Sequence, residues 1–356
     1  MNPNVLEFFK RQGWQSLNEY TVFRLKDTRQ LVDFSRIKRV LVILFCGIGD
    51  MIVFLPALEL LSGVLRDSRI SVLTHPSPSK VLENHPSVDQ ILLPENINSI
   101  DFGSFDLVIN LSGHDERLNN ILLSSNIKHL IIRSIAFDKK EIAHFWQVNV
   151  EAMMEIINSI RFKFVYLDDE ERRIAGEWLA SRGLDPKRDL IIAVHPGSGN
   201  PEKNWPPERF IDLCNILVEN YKAKILLLSG PMDREAVEKV LGGVKVAPIV
   251  VQEPLRLVAG ILERVDLLIT NDSGIMHLAD GVGTPTVSIF GASQPEIWGP
   301  MGYNHVIIYK ERGLERITVD DVMRGVKLLL ANLAQMGVRD HEVILPSDHP
   351  AMGRLG

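Results

Sequence analysis

Three short polar stretches carry residue types that bind anions, and a fourth carries a lone carboxylate at a glycine turn. Asn271-Asp272-Ser273-Gly274 is followed shortly by His277. Each of the first four favours turns or helix N-caps. A helix opening there offers unpaired N–H groups and a partial positive charge, which suits a phosphate. His277 falls in the first turn of that helix, within reach of an anion. Ser198 and Gly199 add a hydroxyl and accessible backbone N–H groups, and Lys203 adds a mobile cation. The loop Gly230 to Glu235, with Asp233, is the third polar stretch. Together these groups suit a diphosphate without requiring a metal. Asp50 closes the turn Cys46-Gly47-Ile48-Gly49-Asp50. Two bland readings stand beside these: Asp50, Asp272 or Ser273 could cap a helix, and His277 could pack.

Alternating strands and helices are expected to position these loops. Short apolar runs at 39–45, 70–74, 90–93, 106–110 and 130–133 read as buried parallel strands. A second series follows at 190–194, 224–229, 244–251, 265–270 and 285–291. Helices are expected at 51–61, 147–160, 168–182, 207–221, 235–241, 254–263, 275–281 and 318–335. Pro56 predicts a kink or a displaced start in the first of these. The fold class is therefore α/β, with two successive parallel-sheet series. Open sheets of this kind bind ligands at the carboxyl edges of their strands, and two facing domains would make a cleft. A dinucleotide fingerprint after the first strand is not complete. Ile52 stands where a third glycine is needed, and the next strand runs into His75-Pro76 rather than an acidic residue.

Composition narrows the function classes. A chain of 356 residues favours two domains. No apolar run reaches the ~18 residues of a membrane span, and the first residues lack the apolar core of a signal peptide. Two distant cysteines, Cys46 and Cys214, argue against a disulfide framework and fit a reducing cytoplasm. The net charge of -6 divides unevenly, because residues 1–39 hold eight Lys/Arg and four Asp/Glu. The remaining acidic body argues against nucleic-acid binding. Phe8, Phe9 and Trp14 beside Lys10 and Arg11 read either as a packing extension or as an amphipathic segment that touches an anionic membrane.

The motifs GIGDMIVFLPAL, HPGSGNPEKNWP, LLLSGPMDRE and NDSGIMHLADGVGTPTVSIFG occur in this order. In that order they resemble glycosyltransferase family 9, the ADP-heptose:lipopolysaccharide heptosyltransferases. The resemblance runs from about residue 39 to residue 300. It implies a GT-B fold, with two Rossmann-like domains facing across a cleft. It also implies an inverting, metal-independent transfer of a heptose from a nucleotide diphosphate donor, ADP-heptose, to a lipopolysaccharide-type or other glycan acceptor. No cofactor is implied, and the setting is cytoplasmic; peripheral contact at the inner membrane follows only from the amphipathic reading of the N-terminal segment. By resemblance, Asp50 is the general base and Lys203 contacts the donor phosphates. Ser198 and Gly199 occupy phosphate-contacting positions, and Asp233 lies near the nucleotide ribose. Asp272, Ser273, Gly274 and His277 match the D-[TS]-G-x-x-H donor motif.

The expected division is an N-terminal extension at 1–38, an acceptor-binding domain at 39–160, a nucleotide-sugar-binding domain at 161–316, and a C-terminal helix and tail at 317–356. Two other readings fit the same loops: a GT-B-like nucleotide-sugar epimerase or hydrolase, and a nucleotide-sugar-binding protein without turnover.

Overall fold

A computed structural model describes residues 14–18, 21–25, 32–132 and 165–335, together with Lys10, 149–150, 152–154, 156–157 and 163. Phe8, Phe9, Arg11 and the tail beyond 335 lie outside the described residues. The chain forms two compact units, Gln30–Arg161 and Met1–Arg29 with Phe162–Gly356.

The Gln30–Arg161 unit holds a five-stranded sheet, in the order β5-β4-β3-β6-β7. Its strands are β3 (Arg39–Ile43), β4 (Arg69–Leu73), β5 (Gln90–Leu92), β6 (Leu107–Asn110) and β7 (Leu130–Ile132), and every pairing is parallel. Leu41 and Ile43 pack with Leu73, Val108, Leu118 and Leu122 on one face. Helix α1 (Ile48–Val64) follows β3, and α2 (Glu116–Ser124) follows β6. Helix α1 begins three residues before the expected start and continues through Pro56. The Asp50 carboxylate accepts from the Gly47 N–H at 3.0 Å, which caps an exposed donor and draws the turn into the helix.

The other unit holds an eight-stranded sheet, in the order β1-β2-β13-β12-β11-β8-β9-β10. The strands β8 (Ile191–His195), β9 (Lys224–Leu228), β10 (Ile249–Val251), β11 (Leu267–Asn271), β12 (Thr286–Phe290) and β13 (His305–Tyr309) pair in parallel. Alternate residues of β8 face opposite sides. Ile192 and Val194 join a core with Trp205, Phe210 and Leu329, while Ile191 and Ala193 join one with Ala175, Val258 and Ala279. The longer helices are α3 (Asp169–Ala180), α4 (Pro207–Tyr221), α5 (Arg234–Gly243), α6 (Leu255–Leu262), α7 (Gly274–Val282) and α8 (Val319–Gln335). Gly283, at φ 86°, ends α7 in the left-handed conformation that glycine accepts without strain.

Residues read as an N-terminal extension take part in this second sheet. Strands β1 (Gln15–Asn18) and β2 (Thr21–Arg24) form an antiparallel pair, and β2 joins β13. Trp14 is buried with Val22, Met276, Phe290, Ile307 and Tyr309. The sequence signal was weak because β1 and β2 are four residues each, too short for a clear alternation. The strand β13 was also not anticipated.

Candidate functional site

The loops after β8, β9, β10 and β11 enclose a cavity of about 790 Å³ within one unit. Ser198, Gly199, Asp233, Ser273, Gly274 and His277 all line it. Six of the sequence-derived candidates are thus brought together by strands that end at one edge. Lys203 stands beside them, and Asp50 belongs to the other unit.

The floor of the cavity is a buried hydrogen-bond network. His195 Nε2 lies 2.7 Å from Asp233 Oδ2, and its Nδ1 lies 3.2 Å from Ser273 Oγ and 3.4 Å from Thr270 Oγ1. A carboxylate only accepts, so Nε2 carries the proton toward Asp233. In the neutral ring Nδ1 then accepts, which turns a hydroxyl of Ser273 or Thr270 toward the imidazole. Asp233 Oδ2 also accepts from the Gly230 N–H at 3.1 Å. The hydrogen bond from His195 holds the Asp233 carboxyl below the usual carboxylate range, against the opposing effect of burial. Asp233 was matched to a ribose contact, and here its carboxylate is occupied in joining β8 to the β9 loop.

Gly197 shows how tight this junction is. A Cβ there would fall 2.4 Å from Asp233 Cβ and 2.5 Å from its Oδ1. Only glycine lets the β8 loop pass so close to the β9 loop.

The β8 loop is tied to β11 as well. Asn271 Nδ2 donates to Pro196 O at 2.8 Å, and the Trp205 N–H donates to Asn271 Oδ1 at 2.9 Å. Ser198 Oγ lies 2.6 Å from Asn200 O and 2.7 Å from Asn204 Oδ1, so its hydroxyl shapes its own loop. Gly199 is exposed, with open space where a Cβ would stand. Lys203 Nζ donates to Asp272 Oδ2 at 2.6 Å, and Ser293 Oγ donates to the same oxygen. Ser273 is the N-cap of α7; its carbonyl accepts from the Met276 N–H at 3.1 Å, and the N–H groups of Gly274 and Ile275 have no acceptor within the helix. His277 is exposed at that end. Open N–H groups, a lysine and a histidine around one helix start can bind a diphosphate.

His195 and Thr270 were missed as site residues. The usable signal was a histidine at the end of a buried strand, beside the glycine loop; only tertiary pairing reveals its carboxylate partner.

In the other unit, Asp50 is exposed in the first turn of α1. It lines a small cavity of about 170 Å³ with Cys46, Ser112, His114 and Asn149. Burial, followed by the charge of Asp50, pushes the Cys46 thiol up to about 11, so it stays protonated. Asp115, in the loop after β6, caps α2 by accepting from the Leu118 N–H at 3.0 Å. No helix among the described residues is long and apolar enough to cross a membrane.

Comparison with known proteins identifies the family. The sequence pattern of glycosyltransferase family 9 (heptosyltransferase) matches residues 137–323, more than half of the chain. Lipopolysaccharide heptosyltransferase 3 of Escherichia coli K12 is 22% identical over 86% of this chain and 98% of its own length. Lipopolysaccharide heptosyltransferase 2 of Salmonella typhimurium is 24% identical over 44% of this chain and 46% of its own length. Among solved structures, a family 9 glycosyl transferase from Veillonella parvula is 24% identical, with a TM-score of 0.47 over 84% of this chain and 98% of that one. The α/β class, the two parallel-sheet units and the family pattern converge: this chain belongs to glycosyltransferase family 9, the heptosyltransferases, and is a glycosyltransferase.

Proposed function

We propose that this protein transfers a heptose from ADP-heptose to a lipopolysaccharide-type glycan acceptor, with inversion at the anomeric carbon and without a metal ion. The observation that carries this reading is the convergence of Ser198, Gly199, Asp233, Ser273, Gly274 and His277 on one cavity, with Lys203 at its side. A nucleoside diphosphate fits there, with its phosphates at the start of α7. As the leaving diphosphate gains charge, Lys203 and the helix N–H groups stabilise it in place of a divalent cation. To reach the phosphates, Lys203 exchanges its ion pair with Asp272 for one with the ligand.

Asp50 is the proposed base. An acceptor hydroxyl is a weak nucleophile and gains from a positioned carboxylate. Direct attack on the anomeric carbon, opposite the leaving diphosphate, inverts it. Action in the cytoplasm, with peripheral contact at the inner membrane, is part of the same proposal. Trp14 is withdrawn from such contact by its burial.

The test is incubation with ADP-heptose, with and without a lipopolysaccharide core acceptor, while ADP release is followed. Acceptor-dependent release is expected, in the presence of a chelator and in its absence. Equal release without acceptor indicates hydrolysis instead and overturns the proposal.

A further inference from the structure

A second cavity, of about 600 Å³, opens at the same sheet edge as the first. Glu202 and Asn204 line it from the β8 loop, Ala292 from the β12 loop, and Arg312 and Glu315 from the β13 loop. Its size lies in the ~300–1,000 Å³ range of small-molecule sites.

The two cavities share a wall. Ser198 lines the first, and its hydroxyl lies 2.7 Å from Asn204 Oδ1, which lines the second. Lys203, between Glu202 and Asn204 in the chain, reaches Asp272, whose neighbour Ser273 lines the first cavity. Ser293, next to Ala292, donates to the same Asp272 oxygen. Lys203, Asp272 and Ser293 line neither cavity themselves, but their hydrogen-bonded chain links segments that line both and so runs along the wall between them. A diphosphate resting on it has room for a nucleoside on one side and a further group on the other.

The chemistry of the second cavity differs from that of the first. Glu202 and Glu315 accept hydrogen bonds from hydroxyls, and the guanidinium of Arg312 donates them. Leu314 and Pro206 add apolar surface for a C–H face. Among the described residues the Arg312 side chain makes no hydrogen bond or ion pair, while its backbone N–H is fixed to Gly291 O at 2.8 Å. Both signs of charge beside apolar carbon suit a neutral polyhydroxyl ring better than a phosphate or a nucleobase.

We infer that this second cavity is a sugar-ring subsite on the far side of the Lys203–Asp272–Ser293 wall from the nucleotide. The inference rests on the proposed function, in which a nucleotide sugar sits over Lys203. The ring belongs either to the donor or to the acceptor, and binding data separate the two.

The experiment is calorimetric titration of wild type, Lys203→Ala, Arg312→Gln and Glu315→Gln with ADP and with ADP-heptose, together with acceptor KM and melting temperature. For a donor ring, Arg312→Gln leaves ADP affinity unchanged and weakens ADP-heptose about tenfold, the loss of roughly one charge-assisted bond. For an acceptor ring, both nucleotide affinities hold and acceptor KM rises by a similar factor. Either result supports the subsite. Unchanged values throughout in folded Arg312→Gln and Glu315→Gln overturn it, as does an equal loss for ADP and ADP-heptose. If Arg312→Gln does not fold, Glu315→Gln carries the same measurements. If wild type binds neither nucleotide, the proposed function and the subsite fall together. If Lys203→Ala weakens both nucleotides and the other variants change nothing, only the subsite falls.

Discussion

The carboxyl edges of the two sheets are built differently. Around the 790 Å³ cavity, His195, Asp233, Thr270 and Ser273 are buried and hydrogen-bonded to one another across the ends of β8 and β11 and the loops after β9 and β11. In the other unit, Asp50 is exposed and its carboxylate accepts from the Gly47 N–H. The difference suits the two tasks proposed for these regions. Binding a polyanion requires donors held in advance, because a rigid polar framework loses little order when the ligand arrives. Taking a proton requires a carboxylate that a substrate hydroxyl can reach, with few competing donors.

The largest effect is expected where the contrast is greatest. Asp50→Asn should lower turnover by roughly 10²–10⁴-fold while ADP-heptose affinity and melting temperature hardly move. Asparagine still accepts from the Gly47 N–H, so a pure cap would leave activity intact, and a fully active variant would return Asp50 to that role.

Lys203→Ala should weaken ADP-heptose binding by roughly 10–100-fold, the range for a charge-assisted contact. It also leaves Asp272 without its lysine, so melting temperature should be read alongside affinity. Unchanged affinity would detach Lys203 from the phosphates.

Gly197→Ala probes the framework itself. Its Cβ would meet Asp233 at 2.4 Å, so one of the two loops must shift. Overpacking of this kind costs about 1–3 kcal/mol, and denaturant unfolding should show it together with weaker ADP binding. A stability equal to wild type would mean that the junction is looser than its geometry.

The smallest effect is in acid. The hydrogen bond from His195 lowers the folded-state pKa of Asp233. Its stabilising contribution is thus complete above the ordinary carboxylate value of about 3.9 and is lost as pH falls through the lower folded value. The melting-temperature gap between wild type and Asp233→Asn should be constant above about pH 5 and shrink below about pH 4. A gap that stays constant down to pH 2 would show that the carboxylate gains nothing from His195.

Much of this was legible without coordinates. Apolar runs such as Leu107–Asn110 and Leu267–Asn271 announce strands buried on both faces, since only a covered parallel sheet accepts them. The turn chemistry of Asn271 to Gly274 announces the start of α7, because capping is local. Helix α4 was expected at its observed limits, Pro207–Tyr221, where proline pre-sets the first turn. The order of motifs sufficed for the family.

Contacts between distant residues were decided only by the folded chain. Strands β1 and β2 gain their place from β13, nearly three hundred residues away, and no local pattern encodes such a partner. The Ser198 hydroxyl lies against Asn204 and the Asp233 carboxylate holds His195, ties that no spacing in the sequence shows. Residue types and spacing determine which groups reach a sheet edge. Which of those groups spend their hydrogen bonds on one another is set by packing between loops, and that belongs to the tertiary structure.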